Sequence, residues 1–160
     1  MSVVSASPES DSLVNSAYEA PDYRDRFVAT VASNAFVNVD AVVDQWFRHQ
    51  PGWLRLLSTN TLRKRHIANS IGSSYAVGDS VGSWEVVDRS VDEIVFGDDM
   101  GFMEYRFSFR RVDAQHIEAA TAVQYLWPRT GRFYFSLVRP LHRRFVAYAL
   151  RRTVAEATAS

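Results

Sequence analysis

Four histidines and seven tyrosines are the side chains best suited to move a proton or orient a polar ligand in this chain. His49, His66, His116 and His142 share no i, i+4 or HxH spacing, so the sequence predicts no metal site. The sequence has no cysteine, which removes disulfides, thiolate ligands and thiol nucleophiles. It also has no GxGxxG, P-loop or GxSxG motif, so neither a nucleotide nor a serine nucleophile is indicated.

The tyrosine hydroxyls point instead to a small-molecule site. A few convergent polar groups in an apolar cavity are typical of such sites, and no cofactor is expected. His142 lies beside Arg139 and Arg143, so it is a candidate acid/base or anion-binding group at the cavity mouth, with a surface histidine as the alternative. A fully packed core is the alternative for the whole cavity. The predicted lining residues are Trp84, Phe96, Tyr105, Phe107, Thr121, Tyr125, Tyr134, Leu141, His142, Phe145 and Tyr148.

Alternating apolar residues from Trp84 onward predict an antiparallel meander that would position these side chains. A turn at 113–115 places Phe109 opposite Ala119, Phe107 opposite Thr121, Tyr105 opposite Val123 and Met103 opposite Tyr125. A turn at 98–101 places Phe96 opposite Met103 and Ile94 opposite Tyr105. A turn at 89–91 places Trp84 opposite Phe96 and Val86 opposite Ile94. Glu104 then faces outward.

Helices are expected on both sides of this meander. After a strand at 23–31, an apolar stripe predicts a helix with Asn38 as its N-cap: Val39, Val42, Val43, Trp46 and Phe47. A second helix is predicted at 51–67 and a short strand at 75–77. A long helix from Thr130 to about Val154 should bury Tyr134, Leu137, Val138, Leu141, Phe145, Tyr148 and Ala149, with a bend or a break at Pro140. Four further apolar residues lie outside this stripe: Phe133, Phe135, Val146 and Leu150. They suggest that the helix also packs against a second copy of the chain in a homodimer.

Composition fits one globular domain, predicted at 22–156 after a disordered N-terminal tail at 1–21. We expect no signal peptide and no transmembrane segment, and therefore a cytoplasmic protein. The 18 basic and 18 acidic side chains balance, which argues against a nucleic-acid partner. Residues 129–160 nevertheless hold seven arginines against Glu156 alone, so a contact between this face and phospholipid or nucleic acid stays an alternative.

Four stretches carry a family resemblance: Gly78-Asp79, Gly82 to Val87, Asp92 to Asp99, and above all Gly131 to Arg143. Over about residues 23–152 the chain resembles the bacterial domain of unknown function 2867 family. That family looks related to the helix-grip (SRPBCC, START-like) superfamily of lipid-transfer domains, pollen-allergen-like binders and polyketide cyclases. Family members often carry a histidine and then an aspartate after the acidic turn, where this chain has Phe102 and Glu104. No role for that histidine is therefore carried over.

The element order and the resemblance together imply an α+β helix-grip fold. A curved antiparallel sheet would wrap around a long C-terminal helix, with two short helices after the first strand. The first functional hypothesis is a binder of a small apolar molecule in the cavity between sheet and helix. The second is a polyketide- or terpenoid-type cyclase or isomerase in the same cavity, with Tyr105, Tyr125 or Glu104 moving protons. The third is an interaction module that uses the arginine-rich helix. Whether the chain is an enzyme stays open.

Overall fold

A seven-stranded antiparallel sheet forms the centre of the protein. The computed structural model describes residues 3–6, 11–32, 35–48, 74–81 and 84–157. Across the sheet the strands follow the order β1-β2-β7-β6-β5-β4-β3. The elements are β1 (Val3–Ser5), α1 (Leu13–Ser16), β2 (Tyr23–Thr30), α2 (Val39–Arg48), β3 (Ser80–Val81), β4 (Trp84–Arg89), β5 (Glu93–Asp99), β6 (Met103–Arg111), β7 (His116–Tyr125) and α3 (Pro128–Ala157). The predicted α+β class, with a long C-terminal helix on a helix-grip-like sheet, is confirmed.

The β6–β7 hairpin has the predicted register at all four pairs that line the sheet's inner face. Phe107 lies opposite Thr121 and Tyr105 opposite Val123. The turn between the strands closes where expected, because the Val112 N–H donates to the His116 carbonyl at 2.9 Å. Alternation of apolar and polar side chains, together with the position of this turn, was therefore sufficient to predict the pairing of these two strands.

The predicted registers of the two preceding hairpins are wrong. Phe96 lies opposite Phe107 instead of Met103, because the strands continue through Asp99 and the turn closes at Met100 to Phe102. Gly101 supplies the left-handed conformation that this turn needs, with φ +81°. Val86 lies opposite Phe96, and a bulge at residue 87 shifts the rest of β4. Since the first shift is by four residues, the predicted inner and outer faces are unchanged.

Helix α2 covers the β5 and β6 part of the inner face. Its N-cap is Asn38, as predicted, whose side-chain oxygen accepts from the Ala41 N–H at 2.9 Å. All five residues of the predicted stripe are buried, and Trp46 packs on Phe109 with ring centroids 4.8 Å apart. The helix predicted at 51–67 lies outside the described residues. Residues 75–77 form no strand, although Tyr75 is buried and donates its hydroxyl to Asp44.

Helix α1, which lies within the segment predicted as a disordered tail, packs on the outer face of the sheet at β5, β6 and β7. Strand β1 pairs with β2, and Val14 of α1 is buried against Val95 and two alanines of β7. The carboxylate of Glu93 accepts from the Ser12 hydroxyl at 2.7 Å and the Leu13 N–H at 2.8 Å. Serine content indicated a loose chain, but these contacts to a distant strand could not be read from local composition.

Helix α3 runs unbroken from Pro128 to Ala157, and Pro140 lies inside it. Pro128, not Thr130, begins the helix, as suits a residue without an N–H to satisfy. The side that packs on β1, β2, β7 and α2 carries Phe135, Val146, Leu150, Thr153 and Val154. The prediction that Leu137, Leu141 and Tyr148 face the sheet is wrong, since all three are more than half exposed. Among the described residues, no helix is long and apolar enough to cross a membrane.

Candidate functional site

Polar side chains lie on the inner face of the sheet where α3 crosses β2 and β7. Inner faces are normally apolar, so polar groups there indicate a site or a structural network. Strand pairing places Asp25 beside Thr121, and Tyr23 beside Val123. His142 of α3 projects onto this part of the sheet. We refer to Tyr23, Asp25, Thr121 and His142 as the polar cluster.

Asp25 is the most buried charged group of the cluster, at 8% exposure. Its Oδ2 atom accepts from the Tyr23 hydroxyl at 2.7 Å. Its Oδ1 atom is buried and has no hydrogen-bond partner within the described part of the chain. Burial, together with this bond to Asp25, raises the pKa of Tyr23 above its usual range, so the phenol stays a donor. The Arg139 guanidinium lies 5.0 Å above the Tyr23 ring and closes this side of the cluster.

His142 joins the cluster through a single ring nitrogen. Its Nε2 atom lies 3.5 Å from Asp25 Oδ2 and 3.3 Å from Thr121 Oγ1. Both distances are longer than an ordinary hydrogen bond, so the imidazole is held near these groups without closing tightly on either. The side chain is about a quarter exposed, whereas Thr121 is buried. The imidazole is therefore partly accessible to solvent at the edge of the buried cluster.

The geometry does not make a nucleophilic triad. A histidine that activates a hydroxyl uses one nitrogen for the hydroxyl and the other for the orienting carboxylate. Here Asp25 and Thr121 approach the same nitrogen, Nε2. The cluster is suited to hydrogen bonding or to simple proton transfer by His142, and not to acyl transfer through Thr121.

A second polar group lies further across the inner face, on β4, β5 and β6. The Trp84 indole N–H donates to the Tyr105 hydroxyl at 2.6 Å. Asp98, which is buried, pairs with Tyr105 across the strands. Burial, and next the nearby Asp98, raise the pKa of Tyr105, so its hydroxyl is protonated at neutral pH. Tyr105 adjoins Val123, which in turn pairs with Tyr23, so one row of the sheet links the two polar groups.

The predicted lining residues divide into three sets. Phe96 is fully buried and stacks on Phe107 under α2, so it belongs to the core. Leu141 and Tyr148 lie on the exposed side of α3. The others are partly or fully buried along the inner face and the helix side that meets it: Trp84, Tyr105, Phe107, Thr121, Tyr125, Tyr134, His142 and Phe145.

Tyr23 and Asp25 were missed by the reasoning from sequence. A signal was present, because alternate residues of a strand share one face, which places Asp25 on the same face of β2 as Phe27 and Ala29. An acid in such a series is an exception that marks a site. Within the described ranges, no group of three or more histidine, aspartate or glutamate side chains is placed to hold a metal ion.

Comparison with known proteins gives one kind of match. A family model described as "Protein of unknown function (DUF2867)" matches residues 17–149, which contain every member of the polar cluster. No curated protein matches the chain. No solved structure matches it either.

Proposed function

The chain belongs to the DUF2867 family of proteins of unknown function, and we propose that it binds a small, mostly apolar molecule between α3 and the inner face of the sheet. The observation that carries this proposal is the buried Oδ1 atom of Asp25, for which the described residues provide no hydrogen-bond partner. We infer that the ligand donates a hydrogen bond to this oxygen from a hydroxyl or an amine.

A charged group that is buried without a hydrogen-bond partner destabilises the folded protein. A buried acceptor without a partner costs about 1–3 kcal/mol, and more when it is charged. Such groups are rare in native proteins, and a role in binding or catalysis is one reason for keeping them. Apolar contact for the rest of the ligand would come from Phe107, which lies opposite Thr121, and Val123, which lies opposite Tyr23. Tyr105 and His142, both half-buried, would orient the ligand's polar end.

A cyclase or isomerase using the same cavity is the second candidate. The observation that favours it is His142, which is partly exposed and lies 3.5 Å from a buried carboxylate. An imidazole in this setting can accept a proton from a bound molecule that the apolar walls hold in a reactive shape. Glu104, considered earlier for this role, lies on the outer face 4.0 Å from Arg106 and is too far round the sheet to take part.

The test compares ligands that differ only in their polar end. N-phenyl-1-naphthylamine, whose fluorescence rises in apolar surroundings, is bound first and then displaced by dodecylamine, dodecanol or dodecanoate. We expect the amine and the alcohol to displace the probe at concentrations at least tenfold lower than the carboxylate, because dodecanoate would place a second negative charge beside Asp25.

The matched variants are Asp25→Asn and, as a control, Asp92→Asn, which removes an exposed acid from the turn after β4. Asp25→Asn should abolish the preference for amine over carboxylate, and the control should keep it. Equal displacement of the probe by all three dodecyl compounds in the unmodified protein would refute the role of Asp25 in ligand binding. A preference for the amine that survives Asp25→Asn would refute it as well. If the protein turns over substrate analogues, and His142→Gln loses this turnover but still binds them, the result would favour the second candidate, an enzyme.

A further inference from the structure

The side of α3 that faces away from the sheet carries large apolar side chains with no cover in the described structure. Phe133 is 70% exposed, Leu137 64%, Leu141 58% and Tyr148 54%. Trp127, which precedes the helix, is 64% exposed. The four helical residues follow a spacing of i, i+4, i+8 and i+15, which keeps them within one stripe. We call these five residues the outer stripe.

The outer stripe is accompanied by positive charge. Arg129, Arg132, Arg144 and Arg151 are exposed and make no ion pair with the described residues. The acid of α3, Glu156, is bound by Arg152 at 3.0 Å. The helix therefore presents cations around an apolar surface with almost no acid to neutralise them.

A groove at the start of α3 lies between arginine side chains and an apolar side chain of the outer stripe. An open groove of about 390 Å³ is lined by Pro128, Arg129, Arg132, Phe133 and Ser136. Two guanidinium groups beside a phenyl ring suit a phosphate attached to an acyl chain. The groove is continuous with the outer stripe through Phe133.

We propose that the outer stripe of α3 docks on the surface of an anionic phospholipid bilayer. Helices that lie in a membrane interface bury aromatic and aliphatic side chains among the acyl chains while arginines meet the lipid phosphates. This inference does not rest on ligand binding at the polar cluster, which lies on the opposite side of the helix.

Two other partners fit the surface less well. A symmetric dimer through this face would bring the arginines of two identical helices together, and like charges at a self-complementary interface repel. Nucleic acid would satisfy the arginines but would leave Leu137 and Leu141 without an apolar partner. A bilayer satisfies both requirements at once.

The experiment is co-sedimentation of the full chain with vesicles of phosphatidylcholine, alone or mixed with phosphatidylglycerol, at low and high salt. We expect partitioning onto the mixed vesicles that weakens with salt, and a blue shift of Trp127 emission that is absent in Trp127→Phe. Phe133→Ser combined with Leu137→Ser and Leu141→Ser should reduce partitioning at least about tenfold. Arg132→Gln with Arg144→Gln should reduce it about fivefold per arginine, only on the mixed vesicles.

The control variant is Val77→Ser with Val91→Ser, which removes exposed apolar side chains elsewhere and should leave partitioning unchanged. All substituted positions are exposed, and thermal unfolding should show that each variant folds as the parent does. No partitioning, or equal partitioning onto neutral vesicles, would overturn the proposal. Self-association or DNA binding that depends on the outer stripe, in a protein that does not bind vesicles, would also overturn the proposal. Because Asp25 is untouched throughout, these results are independent of the ligand assay.

Discussion

Replacing Glu93 with alanine tests whether the N-terminal segment is an integral part of the fold. The Glu93 carboxylate is 2% exposed and accepts two short hydrogen bonds from α1 and its N-cap residue, with a third contact from the Val14 N–H at 3.3 Å. Hydrogen bonds to a charged acceptor contribute about 1.5–3 kcal/mol each. Taking the lower value for the two short bonds gives a loss of about 3 kcal/mol for Glu93→Ala.

The loss would be visible in two measurements. For a chain of this length, each kcal/mol lowers the melting temperature by about 2–4 °C, so Glu93→Ala should melt roughly 10 °C below the parent. Amide hydrogen exchange should report where the loss occurs, because Leu13 and Val14 donate to this carboxylate. Both amides should exchange faster in the variant, while those of β6 and β7 change less.

Glu93→Gln and Asp92→Ala give the comparison. The first variant keeps the shape of the side chain and one acceptor oxygen but loses the charge, so about half of the destabilisation is expected. Asp92 is exposed in the neighbouring turn, and its replacement should cost little. If Glu93→Ala melts within about 2 or 3 °C of the parent, less than about 1 kcal/mol has been lost and the reasoning is wrong. Unchanged protection of Leu13 and Val14 would have the same meaning.

Two further substitutions test contacts at either side of the inner face. Arg89 binds both oxygens of Asp40, at 2.7 and 2.8 Å, and holds the pKa of that carboxyl below its usual value. A carboxyl whose pKa is lower in the folded than in the unfolded state stabilises the folded protein at pH values above its unfolded pKa of about 3.9. Asp40→Asn should therefore cost about 1.5–3 kcal/mol at pH 7 in urea unfolding, and the gap from the parent should close as the pH falls through the native value. Gly131→Ala should lower the melting temperature, since its Cβ would lie 2.8 Å from the Tyr125 ring; overpacking costs about 1–3 kcal/mol, against a helix-propensity gain of about 1. A higher melting temperature would show that the Tyr125 ring yields easily.

Sequence reasoning succeeded where short-range alternation and one tight turn decided the outcome. The β6–β7 pairing follows from a single choice of turn. A slip by one residue would move the apolar side chains to the wrong face, and the short turn at 113–115 selects among the registers that keep them on the inner face. The same reasoning placed the β5–β6 turn wrongly. Asp98 and Asp99 look like turn residues but continue the strand, and the left-handed conformation in this turn is at Gly101. Turn propensity is a weaker signal than the conformation that one residue must adopt.

The orientation of α3 could not be predicted from the helix itself. Its sequence holds two apolar stripes, one with Leu137 and Leu141 and one with Val146 and Leu150, and both satisfy helical periodicity. Which stripe is buried depends on the side chains that the sheet presents for packing. Gly131 fits against Tyr125, and Phe135 packs on Tyr23 with ring centroids 4.7 Å apart. For the same reason the contact between Asp25 and His142 could not be predicted from the sequence, because it depends on which side of α3 faces the sheet.

The position of β2 in the sheet has a consequence for synthesis of the chain. This strand is made well before β7, with which one of its edges pairs, and the paired residues Asp25 and Thr121 are 96 positions apart. Until β7 has also been made, β1 is the one described strand beside β2, and the other edge of β2 is open. Contacts this distant slow folding, because the intervening loop must close first. The β2 side of the sheet should therefore form late in synthesis, after β7 has emerged from the ribosome.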